Sequence, residues 1–199
     1  MAAKDDPDDE SDGRSGRRDR AAQRKYRLPT EERLTRAAIH YLDRYASSLE
    51  NLRKVLSRKV RRAAIANGRP PEEFSDIVDR VVEKCRRAGM VDDKTYAETK
   101  LAGLRRRGRS KRQIEATLAS KGVDRDVIAR VVDRDGTSDL EAARTYARRR
   151  RLGPWRTRGS HEERREKDMA ALCRAGYSYD IARKVIDAAD DGEATSAAD

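Results

Sequence analysis

An all-α fold is predicted for this 199-residue chain by three observations. The first is a pattern that recurs three times: Asp76-Ile77-Val78-Asp79-Arg80-Val81-Val82-Glu83, Asp126-Val127-Ile128-Ala129-Arg130-Val131-Val132-Asp133 and Asp180-Ile181-Ala182-Arg183-Lys184-Val185-Ile186-Asp187. Its offsets of 50 and 54 residues (126 minus 76, 180 minus 126) lie in the range of helical repeat modules. The second is composition: 42% charged and only 36% hydrophobic residues suit thin helical layers with charged outer faces better than one large core. The third is propensity, since Ala, Arg and Glu abound while long β-branched and aromatic runs are missing. Three tandem three-helix repeats are expected, forming an elongated, curved array, right-handed or solenoid-like. Such an array offers an extended surface rather than a deep pocket, and so favours binding over catalysis.

The elements follow in order. Residues 1–30 read as a disordered charged tail, because Asp5, Asp6, Asp8, Asp9, Glu10 and Asp12 precede Arg14, Arg17, Arg18, Arg20, Arg24 and Lys25 with few apolar residues between them. Two sharper readings are an acidic arm that competes for the basic surface and a basic arm that grips DNA. Repeat one spans 31–91. Thr30 caps a first helix with acids in its first turn, Ser48 opens a second with Leu52, Val55 and Leu56, and a third runs from Glu72 to about Ala88, where Gly89 stops it. Ser48-x-x-x-Leu52-x-x-x-Leu56 matches Ser110-x-x-x-Ile114-x-x-x-Leu118, which places an insertion at Arg58–Glu73. Repeat two, 92–137, starts its helices at Asp92-Asp93, Ser110 and Asp124. Repeat three, 138–189, has a first helix with Leu140, Ala143, Tyr146 and Ala147. A loop with Trp155, a polar helix from His161 to Leu172 and a last helix capped by Ser178 follow. Residues 190–199 read as a second disordered tail.

The net charge of +11 and pI of about 9.9 point to an anionic partner, with nucleic acid first and a membrane surface second. No apolar run approaches the roughly 20 residues that span a bilayer. Met1–Glu10 is acidic and lacks an apolar signal segment, so a cytoplasmic protein is expected. Cys85 and Cys173 stand alone on apolar helical stretches and read as buried packing groups; no CxxC pair exists, and His40 and His161 are far apart. No metal and no cofactor is expected.

Positive charge gathers in the first two helices of each repeat. Arg53–Arg69 holds seven Lys or Arg and no acid, Lys94–Lys121 holds nine against two acids, and Arg144–Lys167 holds ten against three, whereas Glu72–Glu83 holds five acids and one Arg. Any one cluster reads equally well as a solvated helix face. Three at equivalent places favour a surface that grips phosphate by counterion release. The residues assigned to it are Arg53, Lys54, Arg58, Lys59, Arg61 and Arg62; Arg105, Arg106, Arg107, Arg109, Lys111 and Arg112; and Arg148, Arg149, Arg150, Arg151, Arg156 and Arg158. Arginine forks hold phosphate oxygens bidentately, and Gly108 in the middle run is expected to permit close backbone approach. Trp155 reads either as a base-stacking ring or as packing against the next helix.

Several of these residues are similar to a known family, the RecX regulators of the RecA recombinase. Gly89-Met90-Val91-Asp92-Asp93-x-x-Tyr96-Ala97 resembles the junction of that family's first two modules. Ile114-x-x-x-Leu118-x-x-Lys121-Gly122-Val123 resembles its middle repeat, and Leu172-x-Arg174-x-Gly176-Tyr177-Ser178-Tyr179-Asp180 its last. The resemblance covers Leu34 to Ala189. It implies tandem three-helix repeats lying along a RecA–DNA filament and inhibiting filament growth, ATP hydrolysis, strand exchange and coprotease function, in the setting of DNA repair, recombination and the SOS response. The implied partners are the RecA filament and single- and double-stranded DNA, with the protein a monomer. The charged N-terminal extension and the insertion depart from the family pattern. The matched motif residues are caps and packing groups, so contacts to DNA or protein fall to the arginines; Tyr177 and Tyr179 are expected in core or inter-repeat packing.

The alternative is a stand-alone helical DNA-binding protein that recognises the phosphate backbone. An enzyme would need clustered metal-binding carboxylates or a nucleophile beside a base, and the acids here sit as caps and surface partners.

Overall fold

The computed structural model describes residues 26–188, and nine α-helices with no strand among the described residues make the protein all-α. The chain divides into two compact units, residues 1–92 and 93–199. Residues 1–25 and 189–199, with most of the first expected tail and all of 190–199, lie outside the described residues.

In the first unit, α1 (Glu31–Leu42), α2 (Leu49–Ala66) and α3 (Ser75–Arg87) surround a core of Leu34, Ala38, Leu52, Leu56, Val60, Val78, Val81 and Cys85. Thr30 and Ser48 sit in extended backbone and accept the N–H of Arg33 and Asn51, which fixes both helix starts. The segment expected as an insertion, 58–73, forms the latter part of the 18-residue α2 and most of a 3-10 turn, Pro71–Phe74, whose Phe74 joins the core. The expected third helix therefore begins three residues late, after that turn. The end of the expected N-terminal tail is fastened: Asn67 Nδ2 donates to the Tyr26 carbonyl at 2.7 Å, Arg33 Nη1 donates to the Leu28 carbonyl at 3.0 Å, and Pro29 is buried.

The second unit contains two further trios. Helices α4 (Asp93–Arg105), α5 (Lys111–Ser120) and α6 (Arg125–Asp133) close on Ala97, Leu101, Ile114, Leu118, Ile128 and Val131. Helices α7 (Asp139–Arg150), α8 (His161–Arg174) and α9 (Tyr179–Ile186) close on Ala143, Ala147, Leu172, Ala182, Val185 and Ile186, with a 3-10 turn Gly153–Trp155 between α7 and α8. Each trio is a small amphipathic assembly, and burial of its β-branched and Leu positions supplies about 1.5–3 kcal/mol per side chain. Trp155 packs against the last trio's core. Cys85 is buried but Cys173, on the outer side of α8, is exposed, so only one of the two cysteines is a packing group. Tyr179 is likewise exposed, because Ser178 caps α9 and turns its first residue outward, while Tyr177 is buried.

Candidate nucleic-acid interface

On α2 the chain presents Arg53, Lys54, Arg58, Lys59, Arg61 and Arg62 to solvent. Helical spacing of three and four puts Arg58, Arg61 and Arg62 on one face. Two of the six have acidic partners. Arg53 bonds Asp79 at 2.8 Å and Glu50 at 3.1 Å, which raises its pKa, and Lys54 lies 3.6 Å from Glu50.

In the second unit the turn from α4 to α5 carries the densest charge. Arg106, Arg107, Lys111 and Arg112 are exposed and Arg109 is half-buried, donating to Gln113 Oε1 at 3.1 Å. Lys111 and Arg112 occupy the first turn of α5, which contains no acid. Cations there oppose the helix dipole, and the exposed Lys111–Asp133 pair at 3.4 Å returns little.

Arg105 departs from its expected role. Its side chain is only 8% exposed, with Nε donating to Asp135 Oδ2 at 2.5 Å and Nη1 to Asp139 Oδ1 at 2.7 Å and to the Arg109 carbonyl at 3.0 Å. Burial works against its charge, but the two carboxylates outweigh that and raise its pKa. Arg105 is a buried strut, not an open cation. Arg156 is corrected in the same way. It is ion-paired with Asp168, a 4% exposed carboxylate that also accepts the Gly153 N–H at 2.9 Å, so Arg156 anchors the 3-10 turn. Arg158, beside it, is exposed.

Gly108 allows a close approach, but of α7 rather than of a ligand. At φ +68 a Cβ on Gly108 would lie 2.4 Å from the Tyr146 nitrogen and 2.8 Å from the Ala142 oxygen. Around it, Tyr177 Oη donates to the Gly108 carbonyl at 2.8 Å and Ser110 Oγ donates to the Ala175 carbonyl at 2.8 Å. The Lys111 N–H donates to Asp139 Oδ1 at 3.0 Å. Burial, helped by nearby Asp139, pushes the Tyr177 phenol well above its ordinary pKa. This joint clamps the basic turn onto α7, whose Tyr146 is also covered by the Arg150 guanidinium at 5.7 Å. Two of the three basic clusters are thereby held near one another.

At the end of α7, Arg148, Arg149, Arg150 and Arg151 are all exposed. Arg148 lies 5.7 Å over the Trp155 ring, an arrangement worth about 0.5–1 kcal/mol at an exposed site. Arg151 is the C-cap in left-handed backbone, φ 54, where glycine is the cheaper choice. The carboxylates that hold Arg105 and Arg156, namely Asp135, Asp139 and Asp168, escaped sequence reasoning, because each comes from another element and no spacing announces it. Among the described residues no group of three His, Cys, Asp or Glu could hold a metal ion, and no helix is long and apolar enough to cross a membrane.

Fold and surface together define a class of protein: all-helical modules that present clamped basic turns. The family model described as "RecX, second three-helix domain" matches residues 92–132. The chain is 42% identical over 183 residues to a "Regulatory protein RecX" of Myxococcus xanthus (strain DK1622), covering 90% of this chain and 97% of that one. It is 31% identical over 161 residues to the protein of the same name from Agrobacterium fabrum (strain C58 / ATCC 33970), covering 79% and 85%. For that of Thermobifida fusca (strain YX) the identity is 32% over 151 residues, covering 72% and 79%. No solved structure matches the chain. The chain belongs to the RecX family of regulatory proteins.

Proposed function

We propose that this protein binds the RecA–DNA filament as a monomer in the cytoplasm and restrains its growth, ATP hydrolysis, strand exchange and coprotease activity, so tempering DNA repair and the SOS response. Its working parts are three-helix modules over 31–91, 92–137 and 138–189. Open cations on α2, on the α4–α5 turn and at the end of α7 contact phosphates and acidic protein surface, and no step of the action is catalytic. Family membership supports regulation. The observation that carries the contact surface is the α4–α5 turn, where exposed Arg106, Arg107 and Arg112 stand on a turn fixed by a buried joint and Arg112 opposes the dipole of α5. Arg151, an exposed arginine at a left-handed position where glycine costs less, supports the same reading.

Several weak contacts made at once give a filament an advantage over bare DNA through effective concentration. The test is competition: labelled RecA–single-stranded-DNA filament against unlabelled naked single-stranded DNA, at fixed salt. The reading expects the filament to bind at least about tenfold more tightly, a coupling of about 1.4 kcal/mol. Equal affinity would instead favour a stand-alone binder of the phosphate backbone.

A further inference from the structure

The segment leading into α1 is tied down along its length. Asn67 Nδ2, at the end of α2, donates to the Tyr26 carbonyl at 2.7 Å, and Arg33 Nη1 donates to the Leu28 carbonyl at 3.0 Å. Pro29 is buried and Thr30 caps the helix. Residues 26–29 therefore form a fixed lip, and a groove of about 370 Å³ lies between that lip, α1 and α2.

Two chemistries meet in this groove. Its floor is aliphatic: Val60 and Ala63 of α2 are buried, and Leu28 of the lip, 37% exposed, adds to it. Its rim is cationic, for Arg27, Arg36 and Lys59 are exposed and the lining contains no acid. Arg36 pairs with Glu32, but both side chains stand in water and the pair is worth little. Among the described residues Arg27 and Lys59 form no ion pair.

An aliphatic floor ringed by cations is matched by an apolar side chain set among carboxylates. Burial of the apolar group drives seating, and the carboxylates fix the register. A nucleic-acid strand fits less well. The lining has no Asn, Gln, Ser or Thr to read a base edge, and Tyr26 is its only aromatic ring. The chain's own acidic stretch, Asp5–Asp12, has Pro7 as its only apolar residue and brings little to fill the floor.

We infer that the groove between residues 26–29, α1 and α2 is a docking site for an acidic peptide segment of a partner protein, one that carries an apolar anchor between carboxylates. The anchor rests on Leu28, Val60 and Ala63, and the carboxylates meet Arg27, Arg36 and Lys59. The inference rests on that part of the proposed function in which α2 contacts acidic protein surface, and it names the chemistry selected there.

The test uses the full chain and a fluorescein-labelled peptide with one leucine flanked by aspartates, read by anisotropy at moderate salt. Control peptides replace the leucine by serine or the aspartates by asparagine, and each is expected to bind about tenfold more weakly. Leu28→Ser, and separately Arg27→Gln with Lys59→Gln, are each expected to weaken the leucine peptide about fivefold. Helix content by circular dichroism stays unchanged, since all three side chains are exposed and outside the core. Leu28→Ser is expected to leave affinity for a single-stranded oligonucleotide unaltered.

Equal binding of the leucine and serine peptides would overturn the site, because net charge alone would then account for it. Unchanged peptide affinity in both variants would do the same. Lost oligonucleotide affinity in Leu28→Ser would assign the groove to nucleic acid instead. Tighter peptide binding after replacement of Asp5, Asp6, Asp8 and Asp9 by Asn would assign it to the chain's own acidic stretch. Binding of RecA–single-stranded-DNA filament is measured alongside: if it is retained beside any of these failures, the groove alone falls. If the unsubstituted protein binds the peptide but no filament, the proposed function alone falls.

Discussion

Replacing Arg105 by alanine separates architecture from binding. The guanidinium makes two charge-assisted bonds to Asp135 and Asp139 and a third to the Arg109 carbonyl. Charge-assisted bonds contribute about 1.5–3 kcal/mol each, and breaking a buried ion pair from one side costs about 3–5 kcal/mol. Two features moderate the loss. Asp139 is 27% exposed and keeps the Lys111 N–H, and Asp135 keeps the Thr137 N–H at 3.2 Å. An expected cost of about 3 kcal/mol follows, at the lower end of that range. Urea unfolding monitored by circular dichroism measures it; with a slope of about 1–3 kcal/mol per molar, the midpoint falls by at least about 1 M. Arg107→Ala provides the contrast, since an exposed side chain without a structural partner changes stability by less than about 0.5 kcal/mol while weakening DNA binding. An Arg105→Ala protein with an unaltered unfolding midpoint would refute the buried-strut reasoning, and one that lost DNA affinity while equally stable would restore Arg105 to the binding surface.

Further outcomes are expected in the second unit. Gly108→Ala forces a Cβ into the α7 backbone at a left-handed φ, so it is expected to destabilise the protein by more than about 2 kcal/mol, read from the shift in thermal midpoint. Tyr177→Phe removes one buried bond, at about 1 kcal/mol. The Tyr177 pKa is raised in the folded state, so its contribution is complete below the unfolded value of about 10 and is lost as pH climbs above it. Stability measured between pH 9 and 11 should therefore fall less steeply in Tyr177→Phe than in the unsubstituted protein. Burial raises the Cys85 thiol pKa whereas Cys173 is exposed, so a thiol reagent should modify one cysteine quickly in the native protein and both in denaturant.

Local rules make the helices legible in the sequence. Ser48, Ser110, Asp124 and Ser178 each accept a backbone N–H at the start of the helix they were expected to open, and valines of the recurring pattern fill the three cores. Boundaries that depend on a proline-opened turn, as at Pro71–Phe74, are less clear because a proline opens a 3-10 turn and an α-helix equally well, and four residues are too few for the two periods to separate. The basic clusters were legible as charge but not as roles. Arg105 and Arg106 are adjacent and chemically identical, yet one is buried between two aspartates and the other faces water. That difference is set by Asp135 and Asp139, 30 and 34 residues away, which only folding brings into reach.

The central claim, restraint of a recombinase filament, is tested most directly by RecA ATPase on single-stranded DNA, titrated with this protein well below one molecule per RecA protomer. The account predicts strong inhibition at that ratio, because a few molecules docked on a filament act on many protomers. Undiminished ATP hydrolysis, with salt-sensitive binding to bare DNA retained, would contradict it.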